Sequence, residues 1–234
     1  MPDVKIYADG AVIEEMLAAY RSGNVQGFTT NPSLMKKAGV TDYVGFAQQV
    51  VEAIPDLPVS FEVFGDDFDT MRKEAVTIAA FGSNVYVKIP ITNTAGDSSA
   101  PLISELSAQG IQLNVTAITT VEQVHATVDA FTAGTANIVS VFAGRVADTG
   151  RDPMPLMTES AQICHSKAGA ELLWASSREP YNIVQAADAG ADIITCTPAI
   201  LAKLSMFGMD LGELSLETVR GFARDIQSLG YSIL

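Results

Sequence analysis

Eight short runs rich in apolar and β-branched residues recur along the chain, roughly 20–35 residues apart, at 4–8, 27–29, 59–63, 85–91, 111–116, 138–142, 171–175 and 192–196. Between them the apolar spacing changes from period two to period 3.6. Residues 11–22 carry Val12, Met16, Leu17 and Tyr20 on one helical face, and 66–81 carry Met71, Ala75, Ile78 and Ala79. Segments 121–131, 154–167 and 180–189 read the same way. Gly23, Gly65, Gly82, Gly110, Gly134, Gly169 and Gly190 punctuate the joins, where a glycine suits the left-handed residue that ends a helix. Strands with no polar face need cover on both sides, as parallel strands flanked by helices have. Eight such alternations predict an α/β fold, a single (β/α)8 barrel. An open doubly wound sheet is the competing architecture. No GxGxxG or GxxxxGK[ST] loop follows the first run, which weakens its nucleotide-binding form. Residues 1–234 read as one barrel domain, with 216–234 as an amphipathic C-terminal helix and tail whose apolar face should dock on the barrel or on a neighbouring subunit.

Composition excludes several classes. With 14 Lys+Arg against 27 Asp+Glu the net charge is −13, which argues against a nucleic-acid surface while leaving room for a small phosphate held by one or two arginines. No apolar run reaches the length of a membrane span. The opening MPDVKIYADG has no basic flank and apolar stretch, so no secretory signal is expected and a cytoplasmic location follows by default. Cys164 and Cys196 are too few for a disulfide framework, and Cys164-His165 is poor metal geometry on one helix, so no metal is expected. The sequon at Asn114 lies in an apolar run and is discarded.

Barrel chemistry gathers where strands end. The polar residues there are Asp9, the Thr29-Thr30-Asn31-Pro32 segment, Glu62, Lys88, Asn114 with Thr116, Ser140 followed by Arg145, and Ser176-Ser177-Arg178. Lys88 is the sharpest, set inside VYVKIPI on a strand with no solvated side. Burial disfavours the charged form of an amine, and a neutral amine attacks carbonyls to form a Schiff base. The alternative is a structural ion pair with Glu62 or Asp9. Asp9 and Glu62 could divide acid and base duties, although Asp9 could equally be a helix N-cap. The acidic cluster Asp66, Asp67 and Asp69 reads as favourable charge at a helix start. Arg145 and Arg178, with Ser176 beside the latter, lie where barrels often hold phosphate; surface ion pairs are the alternative.

These segments carry a family resemblance. GFTTNPSL (27–34) and VYVKIPIT (85–92), followed by LNVTAI, VSVFAGRVAD and LLWASSRE in that order, resemble the strand ends of transaldolases, within the class I, metal-independent aldolase superfamily that includes the fructose-6-phosphate aldolases. The resemblance implies a cofactor-free enzyme acting on sugar phosphates. Lys88 would form the imine, Asp9 would take the proton from the C4 hydroxyl, and Glu62 and Thr116 would hold the water of dehydration and hydrolysis. Asn31, Asn114 and Ser140, supported by Thr29, would bind the dihydroxyacetone unit; Arg145, Ser176 and Arg178 would bind the phosphate. Glu62 and Phe142 stand where fructose-6-phosphate aldolases have Gln and Tyr, so the pattern favours transfer over simple cleavage; a non-catalytic phosphosugar-binding barrel is the alternative of a different class. The chain departs from the family at YADGAV and in the loop TNTAGDSS (92–99), features that bear on acceptor preference and loop contacts. Its short length resembles the compact subfamily, which implies a homo-oligomer, a pentamer or decamer joined through the C-terminal helix.

Overall fold

The computed structural model describes residues 2–231 and 233. The chain divides into two compact units, one ending at Leu201 and one beginning at Ala202. The first holds strands β1 (Lys5–Asp9), β2 (Gly27–Thr29), β3 (Val59–Glu62), β4 (Val85–Pro90), β5 (Leu113–Ile118), β6 (Asn137–Val141), β7 (Ala170–Trp174) and β8 (Ile193–Cys196). They close into a parallel barrel in sequence order, with Tyr7 of β1 opposite Thr195 of β8. No strand end differs from the sequence reading by more than two residues.

Helices α1 (Ile13–Ser22), α2 (Pro32–Ala38), α3 (Tyr43–Ala53), α4 (Phe68–Ala79), α5 (Ala100–Ala108), α6 (Val121–Ala130), α7 (Ala143–Asp148), α8 (Met154–His165), α9 (Tyr181–Asp188) and α10 (Pro198–Leu201) alternate with the strands. The periodicity named α1, α4, α6, α8 and α9, and the structure adds the others. Local chemistry fixes their starts. Asn31 caps α2 by accepting from Leu34 N at 3.0 Å, Asp67 caps α4 through Thr70 N at 2.9 Å, and Thr120 and Gln123 form a capping box on α6. Of the acidic cluster, Asp67 is the cap, while Asp66 instead ties the next loop by accepting from Thr94 N (2.8 Å) and Thr94 Oγ1 (2.6 Å). No helix is long and apolar enough to cross a membrane among the described residues.

Strand parity positions the site. Tyr7, Tyr86, Ile138, Leu173, Ala175 and Ile193 plug the barrel interior, with Phe142 packed against them. Two residues further along their strands stand Asp9, Lys88, Ser140 and Thr195, so period two points these polar side chains into the same interior, above the plug. A Cβ on Gly27 would fall 2.5 Å from the Tyr7 ring, so only glycine lets this tyrosine fill the interior beside β2. The outward faces pack under helices. Phe61 meets Tyr43, Phe46 and Phe81 edge-on at centroid distances of 6.4, 6.3 and 6.5 Å, and its truncation to alanine would cost about 3–5 kcal/mol.

The second unit contains a short 3-10 turn (Ala202–Met206) and α11 (Leu211–Leu229). This helix begins five residues before the predicted start at 216, because Asp210 accepts from Gly212 N and Glu213 N and so caps it upstream. Leu216, Val219, Phe222, Ile226 and Leu229 are exposed along it.

Candidate active site

A cavity of about 110 Å³ opens at the C-terminal ends of the strands. Its walls include Asp9, Thr29, Asn31, Lys88, Thr116, Ser140, Phe142, Arg145 and Ser176, nine of the twelve site residues expected from sequence. Lys88 is 6% exposed. Its Nζ donates to the Thr30 carbonyl at 2.9 Å and lies 3.2 Å from Glu62 Oε2. The amine is ion-paired with Glu62, as the structural alternative expects, and it also lines the cavity. β3 and β4 pair Glu62 directly with Lys88, and the Tyr43 hydroxyl anchors this strand end by donating to the Glu62 carbonyl oxygen at 2.8 Å. Glu62 stands behind the amine and faces a larger neighbouring groove of about 790 Å³.

Asp9 is not a cap. The residue before α1 is Val12, which makes no side-chain cap, and the Asp9 carboxylate instead accepts from Thr29 Oγ1 at 2.8 Å. Burial raises its pKa above the ordinary carboxylate value, an effect enlarged by the Glu62 charge and opposed by Lys88 and by the Thr29 hydrogen bond. Such a carboxylate is suited to take up and return a proton.

Thr116 lies where β5 breaks register. Val115 pairs with Val139 but Ile118 pairs with Val141, and Ala117 between them adopts φ 63°. The bulge aims Thr116 into the cavity, where its buried hydroxyl finds no protein partner. Ser176, at φ 65°, is the other non-glycine residue with positive φ among the described residues. Backbone of this kind concentrates at functional strand ends.

The polar end of the cavity is unequal in its two arginines. Arg145 stands 5.2 Å over the Phe142 ring and forms no ion pair among the described residues. Arg178 does not reach the cavity wall. It pairs with Asp148 (2.5 Å) on the surface and donates to the Ser176 carbonyl and hydroxyl at 2.8 and 2.9 Å, so for this arginine the ion-pair alternative describes the structure. Asn114 is also behind the wall. It is fully buried, donates to Ser60 Oγ at 3.0 Å and accepts from Ser140 Oγ at 2.6 Å. It stands two residues before Thr116, one layer deeper, and touches the cavity only through Ser140.

The family model described as transaldolase/fructose-6-phosphate aldolase matches residues 6–233. This chain belongs to the transaldolase/fructose-6-phosphate aldolase family. A protein of Dehalococcoides mccartyi named probable transaldolase is 37% identical over 203 residues, covering 86% of this chain and 90% of the relative. Probable transaldolases of a Roseiflexus species and of Rhizorhabdus wittichii are 39% and 36% identical, the latter over 97% of both chains.

Sequence reasoning missed one wall residue of this family member that carries a polar group. Thr195 is the penultimate residue of β8, is 6% exposed, and shares a 2.6 Å hydrogen bond with Thr29 Oγ1. The signal was available, since ITCT places a hydroxyl at the eighth strand end by the same parity as Asp9. The apolar wall residues Leu173 and Ala175 belong to the interior plug.

Proposed function

We propose that this protein is a transaldolase of pentose phosphate metabolism. It moves a dihydroxyacetone unit from sedoheptulose 7-phosphate to glyceraldehyde 3-phosphate, giving erythrose 4-phosphate and fructose 6-phosphate, through a Schiff base on Lys88. The observation that supports this most is the placement of one buried amine between a carboxylate, Glu62 at 3.2 Å, and a cavity that also presents Asp9 and Arg145.

The chemistry follows from that arrangement. Lys88 Nζ, its proton passed to Glu62, adds to the ketose C2 carbonyl. The carbinolamine loses water with proton help from Glu62, and the orphaned Thr116 hydroxyl holds that water. The resulting iminium is an electron sink, so cleavage of C3–C4 needs no separate cofactor. Asp9 takes the C4 hydroxyl proton as the aldose phosphate leaves, and returns it when the acceptor aldehyde adds to the enamine. Asn31 and Ser140 hold the hydroxyls of the three-carbon unit, with Asn114 fixing Ser140 from behind. Arg145 and Ser176 hold the phosphate, and Arg178 braces Ser176. Anchoring the substrate far from the broken bond positions its reacting carbons.

The exposed apolar side chains of α11 are the surface through which copies would associate into a homo-oligomer, a pentamer or decamer. The competing reading is simple cleavage of fructose 6-phosphate, and Glu62 and Phe142 favour transfer. Assaying fructose 6-phosphate with and without erythrose 4-phosphate separates the two. Turnover that depends on the acceptor is expected, and equal release of dihydroxyacetone without acceptor would replace transfer by cleavage.

A further inference from the structure

Three oxygens stand in a row across the seam where β1, β2 and β8 meet. Thr195 Oγ1 is 2.6 Å from Thr29 Oγ1, which is 2.8 Å from Asp9 Oδ1. A hydroxyl has one hydrogen. Asp9 as a carboxylate can only accept, so the Thr29 hydrogen is committed to it. The Thr29–Thr195 contact then has one allowed direction, with Thr195 donating. Both threonines are buried, 3% and 6% exposed, so neither bond is diluted by bulk water. Ser177 Oγ donates to the Thr195 carbonyl at 2.8 Å and fixes the end of β8 that presents this hydroxyl.

We propose that Thr195 is a positioning residue for the proton-transfer step, acting through Thr29 to hold Asp9 in its proton-accepting form and orientation. Donation into the Thr29 oxygen polarises its O–H and strengthens the bond Asp9 receives. Without Thr195, the Thr29 hydroxyl is a weaker donor and is free to turn. In the intact chain, with its hydrogen given to Thr29, the Thr195 oxygen keeps only acceptor capacity toward the cavity, which suits a substrate hydroxyl and not a carbonyl. The inference rests on Lys88 imine chemistry with Asp9 as base.

Other charges face Asp9. Lys88 of β4 and Glu62 of β3 act on it directly, with opposite signs. Arg145 shares its cavity, Glu15 of α1 and Lys37 of α2 line the pocket on its other side, and the Cys196 thiol of β8 lies near enough to feel its charge. None of these changes in a Thr195 variant, so a shift in the pH profile reports the hydroxyl chain.

The test uses Thr195→Val, Thr195→Ala and Thr195→Ser in the full chain. Three quantities are read: kcat and KM separately for fructose 6-phosphate with erythrose 4-phosphate, the pH dependence of their ratio, and borohydride trapping of fructose 6-phosphate on Lys88. Val and Ala are expected to trap as wild type does, to lower kcat more than they raise KM, and to move the acid limb upward by about half to one pH unit. Ser is expected to restore the wild-type limb. Ala, which adds no bulk, serves if Val does not fold. Trapping in every variant with an unmoved acid limb overturns the role of Thr195 alone. Failure of wild type itself to trap overturns the imine reading and this inference with it.

Discussion

Gly144→Ala is a sharp test of how the phosphate end is built. Gly144 lies in the first turn of α7, one residue before Arg145, and an added Cβ would sit 1.7 Å from the Ser176 carbonyl oxygen and 2.8 Å from its carbon. A carbon–oxygen contact needs about 3.3 Å, so the backbones of α7 and of the β7 end must part by about 1.5 Å. Neither side is a flexible side chain that can swing away. Such overpacking costs about 1–3 kcal/mol, which in a chain of this size lowers Tm by about 2–12 °C. The same displacement separates Arg145 from Ser176, and an ångström of misplacement can cost about 100-fold. We therefore expect kcat/KM for fructose 6-phosphate to fall about 10–100-fold, chiefly through KM. Reaction with unphosphorylated fructose as donor and erythrose as acceptor, neither of which carries a phosphate, should change far less. Gly10→Ala is the control, since a Cβ there meets nothing within 4 Å. Calorimetry and steady-state kinetics read both effects. Wild-type Tm and KM in Gly144→Ala would refute the close-packed arrangement, and an equal loss with both donors would refute the phosphate assignment.

Arg145→Ala should raise KM for fructose 6-phosphate about 10–100-fold, whereas Arg178→Ala, whose guanidinium is held by Asp148, should raise it less; the two titrations compared directly decide which arginine meets the phosphate. Asp9→Asn should abolish turnover and stabilise the fold at pH 8. Burial raises the Asp9 pKa, so the native state binds its proton more tightly than the unfolded chain, and wild-type stability falls as pH rises from the ordinary carboxylate value through the folded one. Urea unfolding at pH 5 and pH 8 should show the asparagine variant losing less than wild type over that interval, and parallel losses would contradict it. Phe222→Asp on α11 should reduce the molar mass seen by light scattering; an unchanged mass in both proteins would remove this helix from any interface.

The barrel was legible because its strands are buried on both faces. A run such as 138–142 has no polar alternation to confuse with a helix, and β6 is buried at all five positions. The helices were less so. α3, YVGFAQQVVEA, is rich in valine and has no basic residue, and α5 carries a proline in its first turn with Leu102, Ile103 and Leu106 buried close together; neither has the contrast of faces that marks α4. Composition against parity led to most of the residues that line the candidate cavity, since Lys88 and Asp9 are charges where a covered strand admits none. What parity could not supply was depth and partnership. Asn114 and Thr116 share a face, but the register of β5 against β6 puts Asn114 in the lower layer and Thr116 at the bulge. Arg178 and Asp148 are 30 positions apart and meet because β6 and β7 are neighbours, whereas Thr29 and Thr195, 166 apart, meet only because the barrel closes through β1 and β8.

The central claim is that the ε-amino group of Lys88 forms a covalent bond to the ketose. Borohydride reduction in the presence of fructose 6-phosphate, followed by peptide mass mapping, tests it directly. The expected result is one adduct, on the peptide containing Lys88, which disappears in Lys88→Met while the fold is retained. An adduct on Lys36 or Lys203 instead, or no adduct in the wild-type protein, would contradict the account.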